Sequence, residues 1–457
     1  MHSPLVPAGG AAVPVFLVDA TTWPGRRERL DAPARAFAQA AGFEPKPGRH
    51  LLLPAADGLA GVLFALDAPD ARAKDPFLPG RLPGLLPEGI YRLVDAPAPR
   101  LAALAFVLGA YRFTRYRKRE QGEVRLEVPE GVDGEELSRI VEAVSLARDL
   151  INTPPNDMGP AQLEDAARAL AQRHNASLGA LVGEDLLGER LALIHAVGRA
   201  AAAPPRLIDM RWGDPAHPKI TLVGKGVCFD SGGLDIKSAS AMLIMKKDMG
   251  GAATVLALAQ MIMGSALNVR LRVLIPAVEN AISGQAYRPL DVYASRKGIR
   301  VEIGNTDAEG RLILADALAL ADEEAPDLLI DIGTLTGAAR VALGPELPAL
   351  YTDDEALAAE LTRHAETECD PLWRMPLWRP YDSMLDSKIA DVSNASSSTF
   401  AGSITCALFL QRFVTAAKAW LHLDIYAWNP SAKPGRPEGG ECQTARALYA
   451  LLAHRYG

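Results

Sequence analysis

The stretch ITLVGKGVCFDSGGLDIK (Ile220–Lys237) runs from an apolar, β-branched segment straight into a glycine-rich turn carrying Asp230 and Lys237. Strand propensity followed by a turn with chemically active side chains is the signature of a strand end in an α/β sheet. Working outward, strand-like and helix-like segments alternate. Strand Leu207–Met210 precedes the strand Ile220–Val227. Helix Ala252–Met263, strand Val269–Ile275, helix Leu312–Ala321 and strand Leu328–Ile332 follow. Helices Glu355–Glu366 and Ser403–Thr415 and strand Leu421–Ile425 complete the series. This alternation predicts helices packed on a mostly parallel sheet.

Toward the amino terminus a smaller α/β unit is expected, with strands Val13–Val18, Leu51–Pro54 and Val62–Leu66 and helices Leu101–Tyr111 and Glu135–Leu150. NTPPNDMGP (Asn152–Pro160) follows. Its prolines disfavour helix and predict a stiff, extended connection and a domain junction nearby. A chain of 457 residues exceeds the ~250–300 at which one core stops growing. Two domains are therefore expected: residues 1–145, an accessory α/β unit, and residues 146–457, the catalytic α/β unit with a central mostly parallel or mixed sheet.

Composition narrows the function. With 49% hydrophobic and 23% charged residues the chain is globular, not disordered. Its net charge of −7 provides no field for nucleic acid or an anionic membrane. Four separated cysteines (Cys228, Cys369, Cys406, Cys442) spell neither a disulfide framework nor a thiolate zinc site, which suits a reducing compartment. No signal peptide is read at the start, where Pro4, Pro7 and Pro14 interrupt the apolar run, and no apolar stretch is long enough to span a bilayer. A cytoplasmic location is expected. The basic run Arg115, Arg117, Lys118, Arg119 reads as a solvated face.

Ligands of such sheets bind beyond the carboxyl ends of strands. Three turns there carry chemistry: the one quoted above, Lys246–Asp248, and GNTDAEGR (Gly304–Arg311). Singly, Asp230, Asp248, Asp307 and Glu309 could each be a helix cap. Gathered at one sheet edge they would repel unless protonated or neutralised by cations, and two divalent metals balance four carboxylates. Lys237 and Arg311 would then leave the pocket electropositive, ready for an oxyanion. Lys225 reads either as a surface lysine or as a buried amine whose pKa falls until it can ligate. His422, inside an apolar strand, reads as a core histidine. His-Glu-x-x-His, Gly-x-Ser-x-Gly and Walker motifs are absent.

Taken together, VGKGVCFDSGGLDIK (Val223–Lys237), MKKDMGGAA (Met245–Ala253), NTDAEGRLILADAL (Asn305–Leu318) and DIGTLTGA (Asp331–Ala338) resemble the leucyl aminopeptidases, the cytosol aminopeptidase or M17 family. NTPPND (Asn152–Asp157), IADVSN (Ile389–Asn394) and HLDI (His422–Ile425) extend the resemblance over roughly residues 145–428. It implies a two-metal aminopeptidase that releases N-terminal residues, leucine and other apolar ones favoured, from peptides with a free amino terminus.

The resemblance implies that Asp230 and Glu309 bridge both metals and that Asp307 binds the exchangeable one. Lys225 and Asp248 would complete the tighter site, which also takes the substrate's α-amine. A metal-bridging water would attack, Lys237 would stabilise the oxyanion, and Arg311 would hold a bicarbonate acting as general base. The metals implied are zinc, manganese, cobalt or magnesium. Met245, Thr334 and Gly337 would line the pocket for the first side chain, with backbone at Leu335 touching substrate. The implied assembly is a homohexamer, a dimer of trimers.

The chain departs from the family pattern at Ser238, Leu243 and Gly333, none of them an implied ligand, and in PEGGECQTARALYALL (Pro437–Leu452). That last stretch bears on pocket shape. A scaffold protein that has lost turnover and a dedicated dipeptidase or Cys-Gly hydrolase are the competing readings.

Overall fold

The structure is a computed structural model that describes residues 4–117 and 122–457. Two compact units divide the chain, one of residues 1–145 and 431–438, the other of residues 146–430 and 439–457. The division falls inside helix Gly134–Asn152, ahead of the prolines. Those prolines do not extend the chain. Residues 153–159 form a turn, and Pro160 opens helix Pro160–Arg173 at its first position, where a missing N–H costs nothing.

The first unit is built on a six-stranded sheet, ordered Leu5–Val6, Val124–Glu127, Gly89–Val94, Val13–Val18, Gly58–Ala65 and His50–Ala55. All neighbours run parallel except the last pair. Val18, Trp23, Phe43, Leu53 and Leu63 close one core on it. Strands Gly89–Val94 and Val124–Glu127 and helices Trp23–Arg29 and Ala32–Ala40 were not expected, because their apolar residues are few and interrupted by charge. Arg115 and Arg117 are exposed; Lys118 and Arg119 lie outside the described residues.

In the second unit four parallel strands form the middle of a nine-stranded sheet: Trp420–Asp424, Leu328–Gly333, Lys219–Gly224 and Arg270–Asn280. Nearly every residue in them is buried, as in a sheet covered on both faces. The flanks run antiparallel: Ala349–Tyr351 beside Trp420–Asp424, and Arg206–Trp212 beside Arg270–Asn280. The sheet is thus mixed. Helix Gly250–Gly264 is buried over all its residues to Met263, sandwiched between the sheet and helix Ala445–Tyr456. Leu312, Ile313, Leu318, Leu408 and Phe409, on helices Glu309–Asp322 and Gly402–Gln411, pack a second core against Val223 and Leu274. Among the described residues no helix is long and apolar enough to cross a membrane.

The run expected as one strand, Ile220–Val227, is two. Lys219–Gly224 pairs in the sheet middle, whereas Gly226–Asp230 pairs only with the end of Arg270–Asn280. Lys225 marks the step; its N–H donates to Ile332 O (2.9 Å) and its carbonyl accepts from Ala252 N (2.8 Å). His422 is a core residue, with Nδ1 2.6 Å from Asp331 Oδ1 and its ring stacked on Tyr351 and Trp420.

The start of helix Gly250–Gly264 lies against the strand ends with no room for side chains. A Cβ on Gly251 would sit 2.1 Å from Ile332 O and 2.9 Å from Lys225 N, both backbone atoms that cannot yield. Gly251→Ala should therefore cost about 2 kcal/mol or more of stability, because it forces the helix off the sheet. Gly179→Ala, where a Cβ would meet nothing within 4 Å, should stay within about 0.5 kcal/mol of the parent. Thermal unfolding of the two variants checks the contrast, and equal melting temperatures would contradict the packing.

Candidate metal centre

Asp230 ends strand Gly226–Asp230, Asp248 lies in the 3₁₀ turn Met245–Met249, and Glu309 opens helix Glu309–Asp322 just after Asp307. Asp230 and Asp248 come at and after strand Gly226–Asp230 of the nine-stranded sheet, whereas Asp307 and Glu309 follow Arg300–Glu302, which belongs to a separate three-stranded sheet with Val292–Ala294 and Val392–Ser393. One oxygen from each of Asp230, Asp307 and Glu309 lies within 4.8 Å of the others. Two lysines enter the cluster. Lys225 Nζ stands 2.7 Å from Asp248 Oδ2 and 2.9 Å from Glu309 Oε1 and donates to Thr334 O at 2.7 Å. Lys237 Nζ stands 2.8 Å from Asp230 Oδ2 and also pairs with Asp307 Oδ1.

Lys225 is 3% exposed, so it is no surface lysine. Burial favours its neutral amine, but Asp248, Glu309 and Asp230 outweigh burial and raise its pKa above the usual lysine range. The surrounding carboxylates thus hold the ammonium form. For the carboxylates burial works the other way. It pushes Glu309 up to about 8 and Asp230 up to about 6, with carboxylate neighbours adding to the rise and both lysines opposing it. Burial would also raise Asp248, yet Lys225 and Lys247 hold it below the usual carboxylate range. Lys247, next along the chain, is pulled down by burial to about 8 despite Asp248.

The donor set suits a divalent metal. Asp248 Oδ2, Asp307 Oδ1 and Glu309 Oε1 are buried, and lysine ammoniums are their partners among the described residues. Oxygen-rich sites with one amine match hard or borderline dications.

Several residues that sequence reasoning passed over hold this arrangement. Asn280 donates through Nδ2 to Asp230 Oδ1 (2.8 Å) and Thr306 O (3.1 Å), and the Tyr287 hydroxyl donates to the same carbonyl (2.6 Å). Thr306 N donates to Asp235 Oδ2 (2.7 Å), while its hydroxyl donates to Gly232 O (2.7 Å), tying the loop of Asp307 to the loop of Lys237. Asn394 is wholly buried; it accepts from Gly304 N and Asn305 N, donates to Asn305 O and Ala308 O, and offers its carbonyl to Arg311 Nη1 at 2.8 Å. IADVSN contained that asparagine, and nothing in the sequence around Asn280 marked it.

Of the residues expected at the pocket, Thr334 and Leu335 lie beside the centre. Thr334 Oγ1 donates to Asp248 Oδ1 (2.7 Å), Leu335 N donates to Asp424 Oδ1 (3.0 Å), and Gly337 opens helix Gly337–Leu343. Met245 is half-buried at the start of its 3₁₀ turn. The departure at Gly333 has a steric reason, since a Cβ there would meet Leu335 Cγ at 3.0 Å.

Comparison with known proteins fits this geometry. The profile of the cytosol aminopeptidase family, catalytic domain, matches residues 145–449, and that of the M17 aminopeptidase, N-terminal domain, residues 13–129. Probable cytosol aminopeptidases of Syntrophotalea carbinolica and Roseiflexus castenholzii are 43% and 42% identical over 364 residues. These alignments cover 76% of this chain and 73% and 74% of the relatives. A crystal structure of cytosol aminopeptidase from Coxiella burnetii is 45% identical, with a TM-score of 0.94 over the whole of both chains. The bottromycin maturation enzyme BotP, solved in complex with Mn, is 34% identical with a TM-score of 0.86 over 98% of this chain and all of its own. The chain accordingly belongs to the M17 cytosol aminopeptidase family of metallo-exopeptidases.

Proposed function

We propose that this chain binds two divalent metal ions through Lys225, Asp230, Asp248, Asp307 and Glu309 and releases the first residue from peptides with a free amino terminus. The observation that carries this reading is the crowding of four carboxylates against two ammoniums, with one oxygen from each of Asp230, Asp307 and Glu309 within 4.8 Å of the others, which leaves the group short of positive charge. Buried carboxylates left in that state favour a cation. Asp230 and Glu309 lie between the two lysines and would be shared; Asp307 would serve one ion, Lys225 and Asp248 the other. Zinc, manganese, cobalt or magnesium bound there would supply Lewis acidity and lower the pKa of water at the site.

The chain's own groups do the rest. Lys237, released from its carboxylates once their charge is met, donates to the scissile carbonyl oxygen as negative charge develops. Arg311, anchored at one nitrogen by Asn394 O, keeps the rest of its guanidinium for an anion; a bicarbonate held there would supply a general base. Met245, Thr334 and Gly337 line the pocket for the first side chain, where a thioether and a methyl accept leucine-like groups. The Leu335 N–H is already given to Asp424, so its carbonyl is the group that meets substrate. The first unit serves assembly into a homohexamer, a dimer of trimers, in the cytoplasm; both rest on kinship with the cytosol aminopeptidases.

Hydrolysis of leucine p-nitroanilide should disappear after chelation, return with manganese, zinc or cobalt, and fail with the N-acetylated substrate. Folded protein inactive under every metal would favour a scaffold. Glu309→Ala and Asp248→Ala should each lower kcat/KM by roughly 1,000-fold or more through lost metal charge. Arg311→Ala should cost about 100-fold, because it removes an anion's anchor and no ligand. An Arg311 loss equal to that of Glu309 would contradict this division of roles.

In chelator, Lys225→Met leaves Asp248 and Glu309 facing each other without a cation. Glu309, its folded pKa raised, then binds a proton that the unfolded chain has released above about pH 4.3, so stability falls as pH rises through that window. The variant should be less stable than the parent by about 3 kcal/mol at pH 8 and by clearly less at pH 5. Denaturant unfolding at the two pH values reads the difference, and a loss independent of pH would refute the pairing.

A further inference from the structure

Beside the metal centre lies a basic cluster that the reaction above does not use. Lys247 shares the 3₁₀ turn Met245–Met249 with Met245 and is 5% exposed, yet among the described residues its ammonium has neither a hydrogen bond nor an ion pair. It stands 4.7 Å from the centre of the Tyr426 ring. The Arg340 guanidinium, likewise without an ion pair among the described residues, lies 5.5 Å from the centre of that ring. The adjacent Lys246 is different: it donates to Asn152 O at 2.7 Å.

Asp248 and Asp424 act on Lys247 through their fields, but among the described residues neither pairs with it or with Arg340. The Asp248 oxygens are engaged by Lys225 and Thr334. Those of Asp424 accept from Leu335 N, Thr336 N and the Thr336 hydroxyl. A buried ammonium that has only a ring face is desolvated at a cost that an arriving anion would offset.

Three proximities place the cluster near the residues proposed for the first side chain. Met245 and Lys247 belong to one turn. Arg340 Nη2 lies 3.9 Å from where a Cβ on Gly337 would stand. A Cβ on Gly250 would meet both Ala427, the neighbour of Tyr426, at 2.2 Å and Thr334 Cγ2 at 3.5 Å. In the divergent segment Pro437–Leu452, Gln443 Oε1 accepts from both Tyr426 N and Ala427 N at 2.9 Å and so holds the backbone that carries the tyrosine.

We infer that Lys247, Arg340 and Tyr426 form an anion-receiving end of this pocket, so that the enzyme takes peptides whose first residue is acidic, glutamate or aspartate, as well as apolar ones. The inference rests on the aminopeptidase reading and deepens it: Met245 and Thr334 carry the methylenes, and the cations meet the carboxylate. A neutral side chain of the same shape would leave Lys247 unpaired and be taken less well.

The test uses the metal-loaded enzyme and freshly prepared tripeptides that differ only in the first residue: Leu-Ala-Ala, Gln-Ala-Ala and Glu-Ala-Ala. In the parent, kcat/KM for the glutamyl peptide should exceed that for the glutaminyl peptide by roughly tenfold or more. Lys247→Met and Arg340→Met should each shrink the ratio, the double variant should bring it near one, and Lys247→Arg should retain most of it. Arg340 is exposed on its helix, so its variant gives a reading even if Lys247→Met fails to fold. Leucyl cleavage with a parental Glu:Gln ratio near one, or a ratio that survives the double variant, overturns the inference and leaves the aminopeptidase reading standing. Failure to cleave any of the three peptides with metal restored removes both.

Discussion

Four carboxylates can share one buried edge of a sheet only if positive charge stands among them, and the rest of the catalytic unit is arranged around that requirement. Lys225 and Lys237 meet it in the chain as described, each bridging two carboxylates. The cost is visible in the backbone. To deliver Lys225, the sheet gives up a continuous strand, and the chain steps sideways between Lys219–Gly224 and Gly226–Asp230. Gly251 must then be bare so that the next helix can close over the step. Electrostatics at the site thus dictate sterics several residues away.

The same requirement explains the density of hydrogen bonds behind the acidic loops. A carboxylate facing like charges swings away unless its loop is held, and the holding is done by groups that carry no charge. Asn280, Thr306, Tyr287 and Asn394 fasten loops from distant parts of the chain to one another through backbone carbonyls and N–H groups. Neutral clamps hold the loops without adding charge to a site that already carries more carboxylates than lysines.

This bears on what could be read without coordinates. The parallel middle of the sheet was legible because its strands are continuous apolar runs between helices and glycine-rich turns. The antiparallel flanks were not, since strand direction leaves no mark on hydrophobic pattern. The break at Lys225 was hidden for a related reason: apolar residues on both sides of GKG read as one strand. The convergence of Asp230, Asp307 and Glu309 followed from turns after strands. Asn280 could not be found that way, because its role depends on which remote backbone atoms it reaches, and a lone asparagine after an apolar run looks like any strand end. Pro160 misled for the opposite reason. Proline stops a helix from within but opens one readily, and the sequence alone does not say which side of it the helix lies on.

Catalysis and selectivity are carried by separate parts of this architecture. The charged centre draws Lys225 and Asp230 from strand ends, Asp248 from the 3₁₀ turn and Glu309 from a helix start, and any displacement there unbalances several groups at once. Lys247 shares the turn of Asp248, whereas Arg340 and Tyr426 come from a short helix and the segment after the last central strand, and the three meet one another mainly across a ring face. Contacts of that kind tolerate exchange. Replacing Arg340 changes the charge offered to a side chain while Asp248 keeps Lys225 and Thr334 as its partners. A scaffold with this division can alter which residue it removes while the chemistry of removal stays fixed, and the segment Pro437–Leu452, which anchors Tyr426 through Gln443, is where such alteration costs the metal centre least.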